Sequence, residues 1–226
     1  MSLLPIVERE MRVASRQVSL YWSRTVLAGL AIFITATIVF FMWRFPPATM
    51  GVSVFYTLSC IAFFYAATAG IWITSDCISE EKRDGTLGLL FLTDLRSFDI
   101  VLGKLAATSL KAFAGLIAIF PVLGIPLLLG SVAVGEFWRV VLVLFNTLLL
   151  SLAAGIFMSS ISLRAGRAAG ATLGMMILLL GGAPILWGLV SFLTGHDMSG
   201  ETFEMASIHS AVMGLIMAFE GNYMTQ

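Results

Sequence analysis

The sequence predicts an all-α integral membrane protein: an N-terminal interfacial amphipathic helix, five transmembrane helices, and a short C-terminal element that does not cross. Three observations predict this. Hydrophobic residues make up 59% of the 226 and charged residues 12%, with a mean hydropathy of +0.98, whereas soluble domains run nearer ~45–50% and ~25%. The charged residues divide the chain into uncharged runs long enough to cross ~30 Å of hydrocarbon as helices. The runs are continuous, without the apolar–polar alternation of a membrane β-barrel, and within lipid a helix pairs every backbone polar group inside its own segment.

In chain order, the first 24 residues carry Arg9, Arg12, Arg16 and Arg24 before any long apolar run. A signal peptide has a short charged start and then its apolar core, so this is not one. Val7, Met11, Ala14 and Val18 recur at helical spacing, with Arg9, Arg12 and Arg16 off that stripe. Such a helix lies flat on the inner leaflet with its arginines toward lipid phosphates. A basic flank that only sets topology reads equally well.

Five runs follow. They are the 19 residues between Arg24 and Arg44, 31 between Arg44 and Asp76, and 24 between Lys111 and Glu136. Another 24 lie between Arg139 and Arg164, and 29 between Arg167 and Asp197. Pro121 and Pro126 predict kinks in the third span, and Gly181, Gly182 and Pro184 a kink or break in the fifth. The 15 residues between Glu204 and Glu220 are too few for a full span and read as an external or re-entrant helix. The result is one transmembrane domain over 1–226: an interfacial helix over 1–24, spans one and two over 25–75, a polar loop over 76–104, spans three to five over 105–195, and an external segment over 196–226.

Orientation follows from the basic residues. With the N-terminus inside, inner segments hold Arg9, Arg12, Arg16, Arg24, Lys82, Arg83, Arg96, Lys104, Arg164 and Arg167; outer ones hold only Arg44 and Arg139. Cytoplasmic flanks carry that excess. Lys+Arg and Asp+Glu are both 13, so no bulk charge calls for nucleic acid, and Cys60 and Cys77 make neither a disulfide framework nor a metal knuckle.

The polar loop, DCISEEKRDGTLGLLFLTDLRSFDIVLGK from Asp76 to Lys104, holds ten of the 26 charged residues. Gly85 ends a charged helical stretch, Thr86 caps a following helix over 87–92, and Asp94 and Ser97 supply turn chemistry. A leucine-rich helix in that position needs a cover, which is the membrane surface, the chain's own spans or a partner. Self-packing is the simpler expectation.

This stretch resembles the cytoplasmic loop of permease subunits of type-2 ABC exporters. The family pattern reads Ile-Ser-x-Glu-x-x-x-Gly-Thr-Leu, a leucine pair, a polar turn and Ile-x-x-Gly-Lys. Ile78, Ser79, Glu81, Gly85, Thr86, Leu87, Leu89, Leu90, Ile100, Gly103 and Lys104 match it. The proline common in the family's turn is replaced by Thr93-Asp94-Leu95. The resemblance extends over most of the chain, through Arg167. It implies that 76–104 carries a coupling helix docked on a separate ABC ATPase subunit, through Glu80, Glu81, Gly85, Thr86, Leu87, Leu89 and Leu90. The interfacial helix with Arg9, Arg12 and Arg16 lies beside it. It also implies a second permease subunit, identical or not, and a bacterial-type cytoplasmic (inner) membrane. ATP and Mg²⁺ then sit in the ATPase and no cofactor in this chain. The family has six spans. Residues 205–219 resemble its short external helices before the sixth, which is missing here; a truncated sequence is the expectation, with the short run standing in for that span as the other possibility.

Catalytic and metal sites are not expected. No G-x-x-x-x-G-K-[ST] is present, and Gly103-Lys104 lacks the upstream glycine. His196 and His209 lie apart without metal-ligand spacing. No serine triad or paired intramembrane carboxylates occur. Gly166, Gly170 and Gly174 form a small-x-x-x-small ladder, which lets helices approach closely; packing within one subunit is the expected use, a seam between two subunits the other. Asn146, midway in the fourth span, is expected to hydrogen-bond a neighbouring helix. Two function classes remain: an exporter permease driven by an ATPase in trans, and a non-transport membrane scaffold or assembly protein. The order Glu81, Gly85, Thr86 and then leucines favours the first. The uncharged spans suit a hydrophobic cargo without naming it.

Overall fold

The computed structural model describes residues 18–75, 77, 79, 97–162, 164–194 and 211–219. These residues are helical with short turns, and contain no strand. Four helices are long and apolar enough to cross a membrane, and a bent pair makes up to five. The all-helical class and the multi-pass pattern therefore stand. Segments 1–17, 80–96 and 195–210 lie outside the described residues, and with them the interfacial helix and the leucine helix.

Helix α1 spans Val18–Phe41 and begins upstream of Arg24, so the first membrane helix reaches back into the segment assigned to the interface. It is the least enclosed, with only 6% of its membrane window buried. Val26, Leu30, Ile32, Phe33, Phe40 and Phe41 all face outward. Large apolar side chains in such an array require hydrocarbon around them. After a turn over 42–46, α2 runs Pro47–Ala69 with a proline in its first turn, where a missing N–H costs nothing. It continues as a π-helical segment over Gly70–Thr74, and Cys77 and Ser79 are still helical.

Helix α3 spans Ser97–Ile117 and starts before Lys104, so Ile100, Gly103 and Lys104 belong to its first two turns and not to the loop. The predicted kink in this span is a break. The chain bends by 40° between α3 and the short helices α4 (Phe120–Leu123) and α5 (Ile125–Leu128). Pro121 and Pro126 carry no N–H for the carbonyls four residues back, so each starts a new helix instead of extending the last. Tyr65 Oη donates to Ala112 O at 3.2 Å just before the bend. A Cβ on Gly115 would lie 2.1 Å from that hydroxyl, so the glycine makes room for the tyrosine. Gly130, at φ 69°, ends α5 in a Schellman turn: Ser131 N donates to Pro126 O and Gly130 N to Leu127 O.

Helix α6, Val134–Ile161, is the axis of the fold and packs against α2, the π segment, α3, α7 and α8. Val140, Leu144, Leu148 and Leu152 line one side at helical spacing and meet Phe55, Leu58, Ala62, Leu116 and Leu123 in one core. Small residues on α2 (Ala62, Ala66, Ala69) allow the helices to close. In lipid, where tails are as apolar as leucine, that packing supplies much of the association energy.

Helix α7 spans Ala165–Thr194 and runs unbroken past Gly181, Gly182 and Pro184, which corrects the expected break. A helix embedded in hydrocarbon holds its backbone bonds on both sides of one missing N–H. Helix α8, Ala211–Ala218, is about 12 Å long and too short to cross. Arg139 Nε donates to Ala218 O at 3.2 Å, and Gly214 lies beside Val143, so α8 runs antiparallel to the first half of α6. Phe219 stacks on Tyr56 with ring centroids 4.3 Å apart, tying the end of α8 to α2.

Two further expectations are corrected. A Cβ at Gly166, Gly170 or Gly174 would meet no atom within 4 Å, so among the described residues the ladder packs against nothing in its own chain. Asn146 is exposed on α6 and makes no hydrogen bond to a neighbouring helix among the described residues.

Candidate functional site

The segment 80–96 leaves the bundle from two roots, the end of the second span and the start of the third. Both are described, and their chemistry sets what the segment is attached to.

The first root is keyed into α6. Gly70 N donates to Ser151 Oγ at 2.8 Å, and Ser151 Oγ donates to Ala67 O at 2.8 Å. Thr74 Oγ1 donates to Gly70 O at 2.9 Å and to Leu152 O at 3.2 Å. Ser79 N donates to Ser159 Oγ at 3.0 Å. A Cβ on Gly70 would lie 1.9 Å from Ser151 O, and one on Gly155 would lie 2.0 Å from Thr74 Oγ1 and 2.5 Å from Gly70 O. Backbone therefore meets backbone along Ser151, Gly155 and Ser159.

The π segment is what aligns the two helices. It inserts one residue into α2, and Gly70, Thr74 and Ser79 then face α6 in step with its four-residue repeat. The widened turn leaves carbonyls without their usual donors, and hydroxyls serve the segment. Besides Thr74, Ser75 Oγ donates to Ile71 O and Cys77 Sγ to Ile73 O at 3.1 Å. Thr74, Ser79, Ser151 and Ser159 are fully buried polar residues, and each has the partner that burial demands.

The second root is tied to the first. Lys104, on the second turn of α3, donates from Nζ to Cys77 O at 2.6 Å. A cation on the last carbonyls of a helix complements its negative end. Gly103 is buried beside it. The ends of the second, third and fourth spans thus form one linked base under residues 80–96. Helix α3 continues from that base with Thr108 and Ser109 bonded to their own helix.

The residues expected to contact a partner, Glu80, Glu81, Gly85, Thr86, Leu87, Leu89 and Leu90, lie outside the described residues, as do Arg9, Arg12 and Arg16. Gly166, Gly170 and Gly174 lie together on one open side of α7. Sequence reasoning missed Ser151, Gly155 and Ser159. They carry the same small-x-x-x-small spacing as the chosen ladder, two turns further back in the chain, and that spacing was the available signal. Among the described residues no group of three His, Cys, Asp or Glu is placed to hold a metal ion. No protein-family model matches this sequence, and no curated protein matches it.

Proposed function

We propose that the chain is the membrane subunit of an ATP-driven exporter, with ATP hydrolysis in a separate ATPase subunit that docks on residues 80–96. The observation that carries this reading is the linked base. Lys104 holds the two roots of the segment together, and the Ser151–Gly155–Ser159 seam holds the first root to α6. A push on the segment is then delivered to three spans at once, which suits a device that converts motion of a soluble partner into tilting of membrane helices. In this reading the N-terminus and residues 80–96 are cytoplasmic. ATP and Mg²⁺ are bound by the partner, since this sequence has no phosphate-binding loop. A second permease subunit completes the path, and the open faces of α1 and α7 are available to receive it.

The deciding experiment is co-purification of the ATPase with Leu90→Asp. Leu87, Leu89 and Leu90 form the proposed docking face, and a buried leucine contributes roughly 1.5–3 kcal/mol. The substitution is expected to abolish ATPase binding while insertion, yield and thermal stability of the subunit stay as in the wild type. Wild-type binding by a well-folded Leu90→Asp subunit rules out the docking role. Loss of yield and stability in the isolated subunit would place the leucines against the chain's own spans, as a scaffold requires.

A further inference from the structure

Away from the linked base, at the opposite end of the bundle, the structure contains a cavity of about 390 Å³, within the ~300–1,000 Å³ range of small-ligand sites. It is formed by the last turns of α1 (Thr35, Val39), the first turns of α2 (Met50, Gly51, Val54) and the end of the broken third span (Ile125, Pro126, Leu129). Trp43 and Phe45 close its rim. The lining offers no polar partner to a ligand: its single hydroxyl, Thr35 Oγ1, donates to Ala31 O at 2.8 Å. The break at Pro121 and Pro126 makes the space, because it turns α4 and α5 away from α3 and leaves α1 without a neighbour along its final turns.

The rim has a different chemistry. Trp43, 78% exposed, and Phe45 flank Arg44, which is also exposed. Arg44 and Arg139 are the two basic residues assigned to this side of the bundle. Aromatic rings settle at the headgroup level of a bilayer, and arginine there reaches toward phosphate. An apolar chamber below that level with one cation at its mouth matches an amphiphile with a hydrocarbon tail and an anionic head.

We propose that this cavity holds one acyl chain of an anionic phospholipid from the leaflet on Arg44's side, with the lipid phosphate against the Arg44 guanidinium. Bound there, the lipid fills the gap left by the broken third span and wedges α1 against α2. The proposal rests only on the multi-pass membrane reading, and it fails or holds whether or not the chain belongs to an exporter.

The test uses the full chain inserted into vesicles of phosphatidylglycerol and phosphatidylcholine, extracted in detergent and examined by native mass spectrometry. The wild type is expected to retain one phosphatidylglycerol per chain. Arg44→Gln is expected to lower that retention about fivefold, the effect of removing one cation from an anionic headgroup, and to erase the preference over phosphatidylcholine. Val39→Trp, which fills the chamber, is expected to lose the lipid of either headgroup. A second measurement covers the case in which Val39→Trp does not fold. Phosphatidylglycerol brominated in its acyl chain should quench the part of the fluorescence that Trp43→Phe removes, and the quenching should persist after dilution into unbrominated detergent. Equal lipid retention by the wild type and both variants overturns the proposal, as does quenching that vanishes on dilution. Disulfide formation between copies through Leu129→Cys, with no lipid retained, assigns the mouth to a second copy and also overturns it.

Discussion

Gly155 and Gly170 are both glycines in apolar helices, and their surroundings are opposite. A side chain on Gly155 collides with Thr74 Oγ1 and Gly70 O, whereas one on Gly170 meets open space. Gly155→Leu is therefore expected to lower the thermal midpoint of the detergent-purified subunit, by the equivalent of about 1–3 kcal/mol as for an overpacked core. Gly170→Leu is expected to leave that midpoint unchanged. An unshifted Gly155→Leu melt would show that the backbone approach at this crossing is wrong. Lys104 makes a different prediction. Its Nζ bond to Cys77 O joins two roots without forming part of the proposed docking face. Lys104→Met is expected to keep ATPase binding and to reduce transport per ATP hydrolysed, measured in reconstituted vesicles. Simultaneous loss of binding would place the lysine in the docking surface instead.

The break in the third span and the π segment in the second are two answers to one constraint. A backbone in hydrocarbon must keep its polar groups paired. Pro121 and Pro126 cannot donate, so the third span restarts twice at a 40° bend. At Gly70–Thr74 hydroxyls from within the segment and from α6 serve the displaced groups. The prolines were visible in the sequence as kinks. The π segment was not, because nothing in Gly-Ile-Trp-Ile-Thr announces an inserted residue. Residues 80–96 have an orientation that is open to direct test. The distribution of basic residues predicts that Asp84→Cys, in a background lacking Cys60 and Cys77, is not labelled by an impermeant thiol reagent added outside intact cells. Labelling there would invert the topology and the proposed function with it.

At the scale of the whole molecule, enclosure is uneven. Helix α6 is surrounded, while α1 has 6% and α7 has 22% of its membrane window buried. The ladder of Gly166, Gly170 and Gly174 lies on the exposed side of α7, so close approach there is open to a helix from another subunit. Gly170→Cys is expected to form disulfide-linked pairs in native membranes under mild oxidation, read as a doubled mass on a non-reducing gel. Absence of that species, alongside efficient cross-linking through a position on α1, would move the seam off the ladder.

Composition and charge spacing by themselves determined the all-helical class, the number of candidate spans and the shortness of the C-terminal helix. Those properties depend on one chain segment facing a bilayer, and length and hydropathy measure that directly. Which small residues touch was decided by tertiary structure alone. Ser151-x-x-x-Gly155-x-x-x-Ser159 and Gly166-x-x-x-Gly170-x-x-x-Gly174 have the same spacing and the same local physics. Only the first faces another helix of this chain, because the π segment turns Gly70 and Thr74 toward it. Asn146 follows the same rule: its polarity was legible, but the direction of its helix face was not. The start of α3 at Ser97 could not be read from charge, since Asp99 and Lys104 in its first turns look like loop residues until Lys104 is seen reaching back to Cys77 O. A linear pattern specifies the face a helix offers, and only the packing of all the spans decides which faces meet.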